Sequence, residues 1–535
     1  MEQKSRRDDR VITVFLVFWA VLFGSIARLL PALGGNMPVN DGGLFYSMAR
    51  DIQAAQFSLP TYASFNQAGI PFAYPPFALY LAAWGDRLVP LLQIVRWLPP
   101  IISSITILAF FVLSRSLLKY KYQAGLATVA FATLPAAYDL TIAGGGLTRS
   151  FGLLFSILTL YFSYWLFRTQ QRRYVIMTTL MASLLILSHP IAAVHTALSI
   201  FVFWMFFGRT VKATRKALLV AVLTLVLTAP WWLTVVSRHG ITPFMNAMRS
   251  GVDRLVFLMP LLRLNLGNEI FLDLISVLAI LGLISCLIRR KTLFPVWILA
   301  IFIVGRDAQT FTAIPLAMAA SLGITDVVFN GIRALEGTPK SEDQTANNEN
   351  QNFQEWLESS RGAKLLLGFF LIYSIFNSLF ASLSYSVRVT DSEYAAIQWI
   401  DQNTPESSQF LVLTLGDPLN TPLQEWFPAL TSQVNLTVVQ GYEWLPNQQF
   451  SRRLDDYNLL QPCLVENQNC FEDWVEQRGY EFDYVYVYQG YVGREEVVDT
   501  EPMLANLLLE NLFASNEYLP VYETSLITIF AHDVE

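Results

Sequence analysis

Apolar runs of about 20 residues recur over the first two thirds of this chain, and each is long enough to cross a hydrocarbon core of roughly 30 Å. Lipid offers no hydrogen bonds, so a spanning segment must satisfy its own backbone, and runs of this length do so as helices. Composition agrees, with 53% hydrophobic and only 15% charged residues, against about 25% charged in an average soluble domain. The first run, Val11 to Leu30, lacks a small-residue cleavage site followed by a soluble chain, and reads as a retained helix rather than a removed signal peptide. Eleven spans are expected, at 11–32, 97–118, 123–141, 147–167, 174–189, 191–207, 216–236, 270–288, 293–305, 309–329 and 363–384. The fold class is therefore a polytopic α-helical membrane protein.

The net charge of −6 carries little information, because in membrane proteins the placement of Lys and Arg sets orientation. Lys4, Arg6, Arg7 and Arg10 precede the first span, and Lys119 and Lys121 lie between the second and third. Arg168, Arg172 and Arg173 follow the fourth, Arg209, Lys212, Arg215 and Lys216 the sixth, and Arg289, Arg290 and Lys291 the eighth. These are alternate connections, so all five clusters fall on the cytoplasmic side. The N-terminus is then inside and the C-terminus outside, as for a plasma membrane protein, most simply a bacterial inner-membrane one. The span at 293–305, with about 13 apolar residues, is short for a crossing. Cys463 and Cys470 bear on it, because a disulfide between them suits an oxidising exterior. Two unpaired thiols are the alternative.

Residues 330–361 are polar and rich in Glu, Asn and Gln, as in a disordered or loosely helical cytoplasmic linker. Residues 385–535 read as a soluble α/β domain outside the membrane. "TDSEYAAIQWIDQNTP" opens with a capping-box pattern, Thr390 with Glu393, and stops at Thr404-Pro405. "FLVLTL", "LTVVQ", "YVYVYQ" and "SLITIF" are strand candidates, with helices near 449–459, 470–478 and 501–512. No internal repeat is evident.

This sidedness collects unusual polar groups on the outer face. The loop 33–96 carries "NDGGLFYSMARDI", in which Asp41 is either a helix cap or a working acid. Asn40 could cap in its place, leaving Asp41 free. Leu44, Met48 and Ile52, with Phe45 beside them, form one apolar stripe, as in a helix lying in the membrane interface. Pro75-Pro76 end the loop, and 77–92, interrupted by Asp86 and Arg87, reads as a second interfacial helix. "YDLTIAGGGLTRS" places Asp139, then Gly144, Gly145 and Gly146, with Thr148 and Arg149 in the first turn of a span. Glycine amides, a helix N-terminus and an arginine make either a phosphate seat or a flexible turn with a snorkelling arginine. His189, in "LSHPIAAVH", is either a substrate contact or a turn-forming residue before Pro190, and His195 reads as a satisfied histidine within the bundle. The loop 237–269 adds Arg238, His239, Arg249, Asp253 and Arg254, and "VGRDAQTF" puts Arg306 and Asp307 at an outer helix end, as a local ion pair or as site residues. "LQEWFPAL" and "GYEWL" hold Trp and Glu pairs that suit either sugar stacking or an aromatic lid.

No phosphate-binding loop, dinucleotide fingerprint, zinc spacing or serine-hydrolase elbow occurs. The sequon at Asn435 is of a kind that arises by chance, and Cys286 sits alone at a cytoplasmic helix end. One span, a long outer loop with an early acid, two interfacial helices, a multispan bundle and an outer domain occur in that order. That order resembles the GT-C superfamily of membrane glycosyltransferases, which includes protein O-mannosyltransferases, aminoarabinose transferases and oligosaccharyltransferase subunits. The matching stretch is "NDGGLFYSMARDIQAAQFSLPTYASFNQAGIPFAYPPFALYL", with an acid after the first span, Tyr46 and Ala49 on the next helix, and the Pro-Pro pair. "GGGLTRS", "LSHP" and "EWFPALTSQVNLTVVQGYEW" are similar to uncharacterised bacterial proteins placed in that superfamily. Two departures stand out: many relatives have paired acids where this chain has Asn40-Asp41, and some have a lysine where it has Tyr74.

The resemblance implies a GT-C-like module over 1–329, the linker, a last span at 362–384 and the outer domain over 385–535. It implies transfer of a sugar from a polyprenyl-phosphate- or diphosphate-linked donor to a lipid, glycan or protein acceptor at the outer face. Asp41 would act as general base or orient the acceptor hydroxyl. Asp139 takes the place of a second-loop acid, and with Asp41 could hold a divalent cation such as Mg or Mn. Arg149 and Arg306 would meet the lipid phosphate, with Tyr74 and His189 as further substrate contacts. Membrane lipids are partners and nucleic acid is not expected. A lipid-oligosaccharide transporter and a non-catalytic assembly or glycan-binding protein are the alternatives. The former would show inverted repeats, and the chain shows no internal symmetry.

Overall fold

The computed structural model describes residues 2–249, 265–337, 356–357, 359–385, 389–464, 468–489 and 506–532. The expected site residues Asp253 and Arg254 and most of the expected linker lie outside them. Every expected span contains a helix. α1 (Glu2–Gly34) is followed by the loop helices α2 (Gly42–Ala54) and α3 (Phe77–Gly85). Then come α4 (Leu91–Leu117), α5 (Lys121–Thr133), the single turn α6 (Asp139–Ile142), α7 (Gly146–Thr169), α8 (Arg172–Ile186), α9 (Pro190–Phe207), α10 (Val211–His239) and α11 (Thr242–Arg249). The bundle ends with α12 (Leu274–Ile288), α13 (Leu293–Phe302), α14 (Ala308–Leu322), α15 (Phe329–Leu335) and α16 (Arg361–Leu383).

Among the described residues seven stretches are long and apolar enough to cross a membrane: Arg10–Gly34, α4, α7, α9, α10, Ala308–Leu335 and α16. The other expected spans, α5, α8, α12 and α13, have 13, 15, 15 and 10 residues, short of the roughly 20 that a full crossing needs. Proline explains one shortfall. Leu134 precedes Pro135 and is extended (φ −78°, ψ 116°), so the span expected at 123–141 stops at Thr133 and Asp139 falls in a separate turn.

Close approach replaces hydrophobic attraction inside the bundle, since lipid tails compete equally for apolar side chains. Gly282 of α12 and Gly323, just beyond α14, face each other's backbones, and a Cβ on either would strike a carbonyl of the other helix. Arg28 of α1 is fully buried yet well supplied. It donates to Ser103 Oγ (3.0 Å), Gly24 O (2.9 Å) and Ala132 O (2.6 Å) and lies over the Tyr138 ring. One side chain thereby ties α1, α4 and α5 together.

The apolar stripe of α2 is covered by protein, not presented as an open face. Leu44, Phe45, Met48 and Ile52 are all but inaccessible, packed against α3, α4 and the C-terminal domain. A small hairpin of β1 (Tyr62–Ala63) and β2 (Ile70–Pro71) completes the loop. Asn66, at its tip, exchanges hydrogen bonds with the Asn435 backbone at 3.0 and 2.7 Å, and Asn36 does the same with Val389 at 2.7 and 2.9 Å. Arg238 donates to the Leu59 and Pro60 carbonyls, and His239 Nε2 to Thr61 O, so the end of α10 also grips this loop.

The C-terminal region is a five-stranded mixed sheet, in the order β4 (Val434–Asn435), β3 (Gln409–Leu413), β5 (Tyr484–Tyr488), β7 (Ile527–His532) and β6 (Tyr518–Glu523). β4, β3 and β5 are parallel, and β7 and β6 run antiparallel to their neighbours. The helices α17 (Asp391–Asn403), α18 (Pro422–Leu430), α19 (Gln449–Leu460), α20 (Gln468–Arg478) and α21 (Asn506–Ala514) surround it. "FLVLTL", "YVYVYQ" and "SLITIF" contain strands as expected. "LTVVQ" does not: the ladder ends at Asn435, where the side chain turns inward to Gln424 (2.9 and 3.0 Å), and 436–440 form a buried crossing. That burial also removes Asn435 as a glycan acceptor in the folded chain. The edge strand β6 holds Pro520, which disguised it. Cys463 and Cys470 form a disulfide, with Cα atoms 5.2 Å apart. At the expected linker α15 continues to Leu335, and Glu336 receives both Trp356 Nε1 (2.8 Å) and Ser360 Oγ (2.6 Å) from its far end.

Candidate active site

Asp41 is the residue before α2, yet its carboxylate makes no hydrogen bond to that helix. Asn40 and Asp41 both adopt left-handed backbone conformations, φ 70° and 77°, which turns the acid away from the amides it would cap. Its Oδ2 stands 3.6 Å from Arg149 Nη2. Arg149 Nη1 donates to Asn40 Oδ1 at 3.0 Å, so Asn40 is not the cap either. The cap comes from the C-terminal domain: Glu425 of α18 accepts the Gly43 N–H at 2.7 Å. Beside it Trp426 Nε1 donates to Pro38 O at 3.0 Å. Gly43 is required there, since a Cβ would lie 2.7 Å from the Glu425 carbonyl oxygen.

The glycine triplet closes on this turn from the other side, and not as a phosphate seat. Gly144 N–H donates to Val39 O at 2.6 Å, Gly145 N–H to Asn40 O, and Gly146 N–H to Ala143 O at 2.7 Å. All three amides are spent on backbone carbonyls. A Cβ on Gly144 would sit 2.5 Å from Gly42 N and 2.8 Å from Pro38 O, so close packing demands glycine. What remains of the expected seat is Arg149 itself, whose buried Nε–H has no hydrogen-bond partner.

Other expected residues gather around the Asp41–Arg149 pair. Tyr74 is edge-on to Phe45 (4.7 Å) and 5.2 Å from the Trp444 ring. Asp307, before α14 with φ 55°, acts electrostatically on Arg149, Asp41 and His189. His189 accepts the Ala192 N–H at 3.3 Å and so caps α9, as the turn-forming reading required, while its ring lines a small cavity with Thr141, Arg149, Asp307 and Thr310. His195 donates to the Arg306 carbonyl at 2.7 Å, and Arg306 Nη1 to Ala247 O at 2.7 Å. Arg306 also exerts its charge on Asp41. Segments more than 250 residues apart thus meet at one end of the bundle.

Asp139 is otherwise engaged. Oδ1 accepts the Leu140 N–H at 2.6 Å and Oδ2 accepts from Asn268 Nδ2 at 3.2 Å. Among the described residues no three His, Cys, Asp or Glu side chains are grouped to hold a metal ion. With Asp41 facing an arginine and Asp139 facing amides, the expected pair does not form a cation cradle.

Two acids enter the site that the motif reading did not assign. Glu443, in "GYEWL", is raised to about 7 by burial and the Asp41 charge, with Arg306 opposing. Glu425 is pushed well above the usual carboxylate range by complete burial and by Asp41, although the amides it faces pull the other way. Asp41 itself is raised: burial outweighs the nearby arginines Arg149 and Arg306. Burial acts on Asp307 too, but Arg149, His189 and Arg306 outweigh it and hold that carboxyl low. Tyr74 is raised by burial and the Asp41 charge. The Trp and Glu pairs flagged in sequence were the available signal for Glu425 and Glu443. Their side chains are packed between outer loop and domain, with Trp426 fully buried and Trp444 5% exposed, which is the lid reading.

The fold, a helical bundle with a structured first loop and a C-terminal β-containing domain packed against that loop, is similar to that of solved membrane protein structures. The archaeal oligosaccharyltransferase AglB of Archaeoglobus fulgidus, in complex with an inhibitory peptide and a dolichol-phosphate, superimposes with a TM-score of 0.54 at 15% identity, over 89% of this chain and 69% of that one. The same enzyme tethered to an acceptor peptide gives 0.54 at 14%, over 98% and 74%. ArnT from Cupriavidus metallidurans bound to undecaprenyl phosphate gives 0.50 at 15%, over 96% and 98%. Residues 73–321 also match a family described as a 6-pyruvoyl-tetrahydropterin synthase related domain, a membrane protein. No curated protein matches the chain by sequence. At such identities the structural likeness carries the fold.

Proposed function

We propose that this protein is a glycosyltransferase. It takes a sugar from a polyprenyl-phosphate-linked donor and passes it to a lipid, glycan or protein acceptor at the extracytoplasmic face. The observation that carries the reading is the Asp41 carboxylate: largely buried, excused from capping its helix, and held toward Arg149 at the junction of outer loop, bundle and C-terminal domain. Structures of this fold hold dolichol-phosphate and undecaprenyl phosphate, which supports a donor of that class. The alternating basic clusters and the disulfide support an inside N-terminus and an outside C-terminal domain. The division into catalytic module, cytoplasmic linker and outer domain goes with that orientation.

In this reading Asp41 accepts the proton of the acceptor hydroxyl, or orients it, as oxygen attacks the anomeric carbon. Its raised pKa makes it a stronger base than an exposed aspartate. Arg149, with one N–H uncommitted, meets the phosphate as charge builds on the leaving group, and Arg306 adds to the field. Tyr74, Asp139 and His189 shape the surrounding walls.

The test compares, by mass spectrometry, the glycolipids and surface glycans of cells with and without the protein, then of cells carrying Asp41→Asn. Loss of one sugar species, and a fall of at least about 10²-fold in transfer for the Asn variant, are expected. Asn is as good a helix cap as Asp, so full activity in that variant would remove the catalytic role. A second reading, a non-catalytic assembly protein, draws on the burial of Trp426 and Trp444 within the domain contact. Unaltered glycans in cells without the protein would favour it.

A further inference from the structure

The N-terminus of α2 offers free amide N–H groups, and the nearest acid in sequence, Asp41, declines them. A helix start without a cap is costly, because its first amides have no intrahelical partners and its dipole attracts negative charge. Left to itself, the Asn40–Asp41 turn would relax toward its own amides, since Asn and Asp are the best caps. The chain prevents this from 382 residues away: Glu425 Oε1 occupies the Gly43 amide at 2.7 Å. The contact is built rather than incidental. Glu425 is fully buried and its second oxygen has no hydrogen-bond partner. Its backbone carbonyl is close enough to exclude a Cβ from Gly43, and the adjacent Trp426 is hydrogen-bonded to Pro38. On the far side Gly144 and Gly145 pin the Val39 and Asn40 carbonyls.

We infer that Glu425 is a positioning residue for the transfer reaction: by capping α2 from the C-terminal domain it keeps the Asp41 carboxylate off its own helix and aimed at Arg149. The inference rests on Asp41 being the working acid. It makes the C-terminal domain part of the catalytic apparatus without contributing a group that touches substrate. A free domain would leave α2 uncapped and Asp41 misdirected, so the site is complete only when the domain is docked. Complete burial and the Asp41 charge push the Glu425 carboxyl well above the usual carboxylate range, and the amides it faces pull the other way.

The experiment uses the full-length protein with Glu425→Met, which keeps the volume and removes the acceptor, and Glu425→Gln, which keeps the acceptor. Transfer is measured per folded molecule, with the donor class identified by the Asp41→Asn comparison. In the Met variant kcat falls at least about tenfold, as expected of a misaimed reacting group, while KM for the donor lipid moves less than about twofold. The acid limb of the pH profile shifts to lower pH, because Asp41 now accepts helix amides that favour its ionised form. Gly43 amide exchange becomes fast. The Gln variant restores all of these toward the parent. A Met variant with parental kcat, pH limb and Gly43 protection overturns the inference even if Asp41→Asn is inactive. An active Asp41→Asn instead overturns the underlying reading. Should the Met variant not accumulate, Gly43→Ala, which forces the two backbones apart, must give the same kcat loss and pH shift, and parental kinetics there would count equally against the inference.

Discussion

Two helices of this protein begin in opposite ways. α17 opens with Thr390, whose Oγ1 accepts the Glu393 N–H at 3.2 Å while Glu393 returns a carboxylate to the Thr390 N–H at 2.7 Å. Every partner lies within four residues. α2 opens with Asn40, Asp41 and two glycines, a string at least as rich in capping residues, yet none of them caps. Its cap is Glu425, and its own acid is held by Arg149. In a reciprocal box each partner satisfies the other within one turn of chain. At α2 the local options are overridden by the left-handed turn at 40–41 and by glycine contacts on both flanks. The result is a carboxylate that caps no helix and faces an arginine, which is what a reaction can use.

Substitutions test the contrast between the two helix starts. Asp41→Asn has the largest expected effect, a transfer loss of about 10²-fold or more with insertion and folding retained, read by glycan mass spectrometry. Next is Arg149→Ala. Loss of a charge-assisted contact to phosphate weakens donor-lipid affinity about ten- to a hundredfold, measured by binding of a polyprenyl-phosphate sugar. Unchanged affinity would remove Arg149 from the phosphate site. Gly144→Ala should destabilise by about 1–3 kcal/mol, because its Cβ meets the backbone of Gly42 and Pro38, and a melting temperature equal to the parent's would show that the turn can give way.

The pH dependence is subtler. Glu443 has its carboxyl raised from 4.5 to about 7. Its contribution to stability is therefore fully present below pH 4.5 and is lost as pH climbs through about 7. Glu443→Gln should flatten the thermal stability profile across that window, and an unchanged slope would place the titration elsewhere. Thr390→Ala is the smallest, about 1 kcal/mol by thermal melt with specific activity unaltered. An activity loss there would mean that local caps also matter to the site.

Much of the architecture was legible because its causes are local or periodic. Apolar length reveals a membrane-spanning helix, and Thr-x-x-Glu reveals a helix start. Reading failed where a neighbour in space decides. The stripe Leu44, Met48 and Ile52 is equally apolar whether it meets lipid or protein, and only the docked C-terminal domain makes it core. The triplet Gly144–Gly146 reads the same whether its amides hold phosphate or the Val39 and Asn40 carbonyls. Asp139 and Asp41 read alike as acids between apolar runs, and only the fold gives one to amides and the other to an arginine.

By itself, then, the chain of 535 residues determined a helical membrane bundle with an appended α/β domain. The physical reason is that hydropathy, charge placement and capping patterns act over a few to 20 residues and need no partner. The tertiary structure alone decided the partner of each polar group at this end of the bundle. A carboxylate, an amide or a guanidinium has several equivalent partners in sequence. Which one it keeps depends on desolvation and geometry that exist only once Glu425, Arg149, Glu443 and Asp307 have been brought around Asp41.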